Sequence, residues 1–162
     1  SSPRPKAMPT LEAAGIPEVK GVWAHEAGGS RLWLTVAIKQ MYAGHSKQAG
    51  LIASQCRVGA YAGKFVVVLD DDIDVTNLEE VMWAVSTRCD PATSIDIVRN
   101  AWSTPLDPSI SPHNREARDF TNSRAIIDAC RPFAWRDKFA RVNMPTPEVA
   151  KKAWDKFSYL LK

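Results

Sequence analysis

Lys64 to Asp90 reads KFVVVLDDDIDVTNLEEVMWAVSTRCD, a buried strand, an acidic turn and an amphipathic helix in succession. Phe65, Val66, Val67, Val68 and Leu69 form an unbroken apolar run. A strand with one wet face alternates, so this one is expected to be covered on both faces and central. Asp70, Asp71, Asp72 and Asp74 end the run, because carboxylates cannot enter a packed layer without partners. Thr76, with Glu79 three residues on, predicts a capping box at a helix start. Leu78, Val81, Met82 and Val85 then set an apolar stripe against the sheet. Pro91 closes the helix predicted over Asn77–Cys89.

Working outward, Arg31–Ile38 predicts a second strand covered on both faces, entered through the turn Gly28-Gly29-Ser30. Val19–His25 is a shorter strand. Ala49, Ile52, Ala53 and Cys56 fall at helical spacing within His45–Arg57, and Gly59 and Gly63 bracket the entry to the central strand. Ser94–Val98 supplies the strand after the second helix. Strand, helix, strand, helix, strand predicts two successive crossovers and a layered α/β sheet. Asn100–Asn122, rich in Pro and Ser, is long for a connection without periodicity, and such loops are usually functional or mobile. Ser123–Cys130 returns to a strand pattern, and Pro132, Phe133 and Trp135 lie in a looser segment. Thr146 caps a C-terminal helix with Pro147 in its first turn and an apolar stripe of Val149, Ala153, Trp154, Phe157 and Leu161.

The 162 residues fit one domain able to bury roughly 68–70% of its unfolded surface. Residues 1–14 are expected to be a Pro-rich arm and 15–162 the folded α/β domain. The chain opens Ser1-Ser2-Pro3 without Met, as a piece of a longer polypeptide would. The 21 basic and 18 acidic residues are interspersed, and the basic, aromatic-interleaved block of a nucleic-acid binder is missing. Cys56, Cys89 and Cys130 are scattered and read as small buried hydrophobes in a reducing cytoplasm. No run approaches the roughly 18 apolar residues of a membrane span.

Two places could carry chemistry. Asp70, Asp72 and Asp74 have the alternate spacing of calcium-loop ligands, but Val75 and Val81 stand where that loop needs Gly and Glu. Their other reading is structural, as charges beside a helix N-terminus. The second place follows from the rule that α/β sheets bind ligands beyond the carboxyl ends of their strands, here Lys39–His45, Asp70–Asp74 and Arg99–Thr104. Lys39, Tyr42, His45 and Lys47 would suit a phosphate or carboxylate, yet no phosphate-cradling glycine motif is present. His25, His45 and His113 are far apart, and no Ser or Cys sits in a nucleophile elbow.

Ile38-Lys39-Gln40-Met41-Tyr42-Ala43-Gly44-His45-Ser46-Lys47 resembles a motif of the UbiD family of (de)carboxylases. The likeness continues through Phe65–Val68, Asp70–Asp74, Trp83–Arg88 with Thr87 and Arg88, and Asp90-Pro91. It returns at Asn122-Ser123-Arg124 and Asp128-Ala129, so that it spans about Gly15 to Leu161. The resemblance implies reversible (de)carboxylation of aromatic or α,β-unsaturated acids on prenylated flavin mononucleotide, with a divalent metal and K+. It implies an N-terminal flavin-binding domain, lacking here, and a C-terminal α/β domain that closes the site and carries much of a homo-oligomer interface. This chain looks like that second domain, inactive and without cofactor when alone, and no catalytic residue carries over to it. Ser46 stands where the family commonly has Ala, and Asn122-Ser123-Arg124 where it has a Gly-Ser-Lys type. Arg57 lies near a basic residue that some members direct at the cofactor phosphate; its other reading is a cation at a helix end, favoured by the dipole. Ser1–Thr10 would be the hinge, and Asn100–Asn122 and Arg131–Arg136 the sources of cover residues. Two other functions stay open: a free-standing subunit that binds a separate flavin-bearing decarboxylase chain, and a small nucleotide-binding protein.

Overall fold

Strand β3 (Phe65–Asp70) lies at the centre of a five-stranded sheet in the computed structural model, which describes residues 7–139 and 146–161. The order across the sheet is β1 (Val19–Ala24), β2 (Trp33–Ile38), β3, β5 (Asn122–Ala129) and β4 (Ile95–Ala101). Val66 to Asp70 are all buried, as a strand covered on both faces requires. β3 runs parallel to β2 and β5, whereas the outer strands β1 and β4 are antiparallel to their neighbours.

One true β-α-β crossover is present. β2 passes to β3 through α2 (His45–Gln55) and a short α3 (Arg57–Ala62). The second expected crossover is corrected. After α4 (Leu78–Arg88) and the four-residue α5 (Pro91–Ser94), β4 runs antiparallel, and β5 enters between it and β3. The handedness rule governs parallel connections only. α4 is therefore free to cover the opposite face from α2. On one face Ala49 and Ala53 of α2 pack with Val36, Val66, Val68 and Ile126. On the other, Val81 and Ala84 of α4 pack with Val67, Leu69 and Ile127. α2 lies close to the sheet because Gly50 faces it, where an added Cβ would come 2.4 Å from Ile126 Cγ2.

Three local expectations change. Residues 7–14 are not an arm: α1 (Ala7–Ala13) buries Met8 and Leu11 in the core, an apolar pair that outweighs the nearby prolines. Residues 1–6 lie outside the described residues, so the hinge expected over Ser1–Thr10 keeps no described part that is extended. α4 is capped by Asn77, whose side chain accepts from the N–H groups of Glu79 and Glu80, and not by Thr76. Thr76 instead closes an Asp74 turn, with its N–H and hydroxyl both donating to Asp74 Oδ1. The buried stripe of α4 is Val81, Ala84 and Arg88, with Val85 partly buried beside it, while Leu78 and Met82 remain exposed: the face turned to the sheet is centred on Val81 and Ala84, and Arg88 enters it because Asp70 and Asp72 neutralise its charge. Among the described residues two further α-helices follow: α6 (Pro112–Glu116), inside the long connection, and α7 (Pro147–Phe157), capped by Thr146 as its sequence predicts.

Candidate functional site

Asp70 ends β3 with its side chain buried, and four donors converge on it. Gln40 Nε2 reaches Oδ1 at 2.8 Å, while Arg88 Nη1 (3.3 Å), the Arg131 backbone N–H (2.8 Å) and Arg131 Nε (3.0 Å) reach Oδ2. Arg88 extends the cluster by gripping Asp72 with two nitrogens, at 2.9 and 2.7 Å. That fork holds the Asp72 carboxyl below its ordinary value, chiefly through the hydrogen bond from Arg88. The end of β2, the end of β3, the last turn of α4 and the chain after β5 are thus tied at one carboxylate. Asp71 and Asp74 are exposed, and among the described residues no three His, Cys, Asp or Glu side chains converge as metal ligands. Arg88 and Arg131 are the partners that the fold gives this acidic stretch.

The Lys39–His45 turn sits at this same carboxyl end, where His45, Tyr42, Ser46 and Lys47 each find a partner within the fold. Gly44, at φ +85°, is the N-cap of α2, a backbone setting that favours Gly. His45 is fully buried: Met41 N–H donates to its Nδ1 at 3.2 Å, and its Nε2 lies 3.0 Å from the Pro17 carbonyl. The ring is therefore the neutral Nε2–H tautomer, and burial pushes its pKa down. Tyr42 stacks on it at 4.5 Å and bonds Gln48. Lys39 is exposed, and Lys47 forms a surface pair with Asp96. Ser46 spends its hydroxyl on Asp128 at 2.6 Å, so its departure from Ala is matched inside the fold. Thr87 bonds back to the Trp83 carbonyl. Thr87, Arg88, Cys89, Asp128, Cys130 and Trp135 border an open cleft of about 530 Å³ beyond β3 and β5. Burial pushes the Cys89 and Cys130 thiols up, away from reactivity.

Arg99–Thr104 is corrected as a member of that end. Because β4 is antiparallel, Ala101 pairs with Asn122 at the start of β5, at the other edge of the layer. There a second polar hub appears that sequence reasoning did not single out. Asp107 is buried and accepts from Lys64 Nζ (3.1 Å), Asn122 Nδ2 (2.7 Å), and the N–H and hydroxyl of Ser109. Burial alone would raise its carboxyl, but these donors outweigh it and hold the group well below the usual carboxylate range. Arg115 clamps the loop from inside through the carbonyls of Pro105, Asp107 and Ile110. Arg124, buried in β5, donates to Asn122 Oδ1 and to the carbonyls of Gly59, Ala60 and Trp102. The signal available in sequence was Asp107-Pro108-Ser109, a turn former in which Asp can bond its own backbone two residues on.

The pinned loop displays two large apolar side chains. Trp102 is 52% and Leu106 49% exposed, with Tyr61 set edge-on to Trp102 at 6.1 Å. Arg31 adds one more tether, from Nη2 to the Leu106 carbonyl at 3.3 Å. α2 ends at Gln55, so Arg57 opens α3, where the dipole disfavours a cation, and the helix-end reading is withdrawn. Its exposed guanidinium joins none of the ion pairs among the described residues. Among the described residues no second basic side chain is tied with Arg57 to one partner, and the residues present do not by themselves fit a flavin phosphate. No helix among the described residues is long and apolar enough to cross a membrane.

The mixed five-stranded α/β sheet is the fold of one part of UbiD-class structures. The chain belongs to the family described as 3-octaprenyl-4-hydroxybenzoate carboxy-lyase C-terminal domain, which matches residues 2–129. It is 30% identical over 148 residues to phenolic acid decarboxylase of Sedimentibacter hydroxybenzoicus, covering 91% of this chain and 29% of that protein. It is 34% identical over 128 residues to anhydromevalonate phosphate decarboxylase of Methanothermobacter thermautotrophicus, covering 79% and 28%. A UbiD-class enzyme of Pelotomaculum thermopropionicum, solved with FMN, superposes with a TM-score of 0.72 at 31% identity over 88% of this chain and 30% of that one. Vanillic acid decarboxylase of S. hydroxybenzoicus in its open form gives a TM-score of 0.70 at 28% identity, over 96% and 32%. The chain spans 29% or less of the length of these curated relatives.

Proposed function

We propose that this chain is the C-terminal part of a UbiD-type carboxy-lyase acting reversibly on an aromatic or α,β-unsaturated carboxylic acid, with prenylated FMN and its metal ions held by the N-terminal flavin-binding part. Its own task there is to close the pocket and support the homo-oligomer. The observation that carries this reading is the loop 102–107. Arg115 and Arg124 hold its carbonyls and Lys64 and Asn122 the Asp107 carboxylate, yet Trp102 and Leu106 are half exposed to solvent. Fixing apolar side chains outward is useful where they meet a second surface, and a cover of this kind excludes water and positions an apolar substrate. The S. hydroxybenzoicus relative occurs in open and closed forms, which suits a part that moves as a lid. A cytoplasmic setting fits the three free thiols.

The test is anaerobic decarboxylation of a panel of aromatic acids by the full-length protein matured with prenylated flavin, beside the 162-residue chain treated alike. Activity is expected only in the longer protein, and Leu106→Ala there is expected to lower turnover at least tenfold with the fold intact. Turnover by the short chain, or an unaffected Leu106→Ala enzyme, would reject the lid reading. The intact mass of the native polypeptide separates a part of one long chain from a free-standing subunit.

A further inference from the structure

The cleft of about 530 Å³ beyond β3 and β5 has no task in the function proposed above, and its size suits a small molecule. On one wall stand the carboxylates of Asp90 and Asp128. Asp128 accepts from the Ser46 hydroxyl (2.6 Å) and the Cys130 N–H (3.0 Å), and Asp90 from the Ala92 N–H (3.3 Å) and the Thr93 hydroxyl (3.2 Å). All four donors are neutral, and neither carboxylate belongs to an ion pair among the described residues. Both act on the same sulfur: burial pushes the Cys89 thiol up, and Asp128 and Asp90 push it further. On the other wall Trp135, 49% exposed, stacks on Phe139 at 5.3 Å.

The nearby cations do not answer these charges. Arg88 and Arg131 are matched by Asp70 and Asp72. Arg136 lies over the Phe133 ring at 4.0 Å and donates to the Phe133 carbonyl, and Lys47 pairs with Asp96. The cleft therefore keeps two negative charges beside an aromatic face, a combination that attracts an organic cation. One donor is also left over. Arg88 borders the cleft with its side chain 1% exposed; its Nη atoms serve Asp70 and Asp72, and its Nε is buried with no acceptor among the described residues. A buried N–H left unpaired is costly, and an oxygen on an occupant would relieve it.

We propose that this cleft binds a small primary amine carrying an oxygen acceptor, its ammonium at Asp90 and Asp128, its carbon frame on Trp135 and its oxygen at Arg88 Nε. This does not depend on the decarboxylase reading, and its test reads binding alone.

Tyramine is the probe, titrated into the 162-residue chain at low ionic strength and followed by calorimetry and by the Trp135 indole N–H in NMR. Saturable binding is expected, weakened by added salt. Phenethylamine, without the hydroxyl, should bind several-fold more weakly, and hydroxyphenylpropanoate, with a carboxylate in place of the ammonium, should not bind. Asp128→Asn, and Asp90→Ser, which keeps a helix-capping oxygen, should each raise the dissociation constant of tyramine at least tenfold. Far-UV circular dichroism checks their fold, and Trp135→Leu, at an exposed ring, should raise it at least threefold should either variant unfold. Absence of saturable tyramine binding, unchanged affinity in these variants, or equal binding of phenethylamine or the propanoate would each overturn the proposal.

Discussion

Arg131 meets Asp70 twice, through its backbone N–H at 2.8 Å and its Nε at 3.0 Å, both on Oδ2. The residue that follows β5 is thereby locked to the residue that ends β3, and Arg88 shares the same oxygen. Asp70→Asn keeps the shape but removes one of the two carboxylates facing Arg88, whose side chain is 1% exposed, and leaves Asp72 as its counter-charge. Removing one partner of a buried ion pair costs about 3–5 kcal/mol. With Asp72 still paired to Arg88, urea unfolding should register a smaller loss, about 1–3 kcal/mol, whereas Asp71→Asn, whose side chain is exposed, should stay within about 0.5 kcal/mol.

The Asp107 hub makes stability depend on acid. Its folded pKa lies below the ordinary carboxylate value of about 3.9, so as pH falls through that value the unfolded chain takes up a proton that the folded chain refuses. The stabilisation is whole above that pH and is lost on further acidification. Asp107→Asn should be less stable at pH 7, and its deficit against wild type should shrink between about pH 5 and pH 3 in urea midpoints.

His45 gives a second window. Burial lowers its folded pKa from an unfolded value of about 6.5, so the unfolded state binds more protons just below that pH, and stability falls with acidification there. His45→Gln retains an amide donor for the Pro17 carbonyl but cannot titrate. Wild type should lose stability from about pH 7 downward by more than this variant, and heteronuclear NMR should find the proton on Nε2 in the wild type at neutral pH.

Gly59→Ala tests how tightly α3 is folded onto α2. The added Cβ would fall 1.6 Å from the Ala53 carbonyl oxygen, against backbone that cannot swing aside. The Gly59 carbonyl also receives Arg124 Nη1, so any shift disturbs the buried guanidinium. Expression of this variant should yield insoluble or unfolded chain, while Gly29→Ala, with nothing within 4 Å, should fold with only the modest cost of its left-handed backbone.

The layered sheet was legible because its inner strands are apolar on both faces, and Phe65–Leu69 and Arg31–Ile38 say so without help from the rest of the chain. The direction of β4 was not, since Ile95, Ile97 and Val98 read alike whichever way the strand runs, and direction is decided by what sits beside it. Asp70 and Arg88 were visible as motif positions, but their union was not: eighteen residues apart, they meet only because α4 doubles back over β3. The Asp107 hub was hidden for a related reason. Lys64, Asp107 and Asn122 come from three separate elements, and the loop between them has no period to read.

The place of β5 between β3 and β4 sets an order of events during synthesis. β4 leaves the ribosome about twenty residues before β5, yet it has no neighbour until β5 arrives, because it touches the sheet only through that last strand. Until then β3 offers an open edge of Val66, Val67 and Val68 to any passing strand. A nascent chain stalled in the 102–121 loop is consequently the species most exposed to aggregation, and chaperone demand should peak there and end once Ala129 is free to pair.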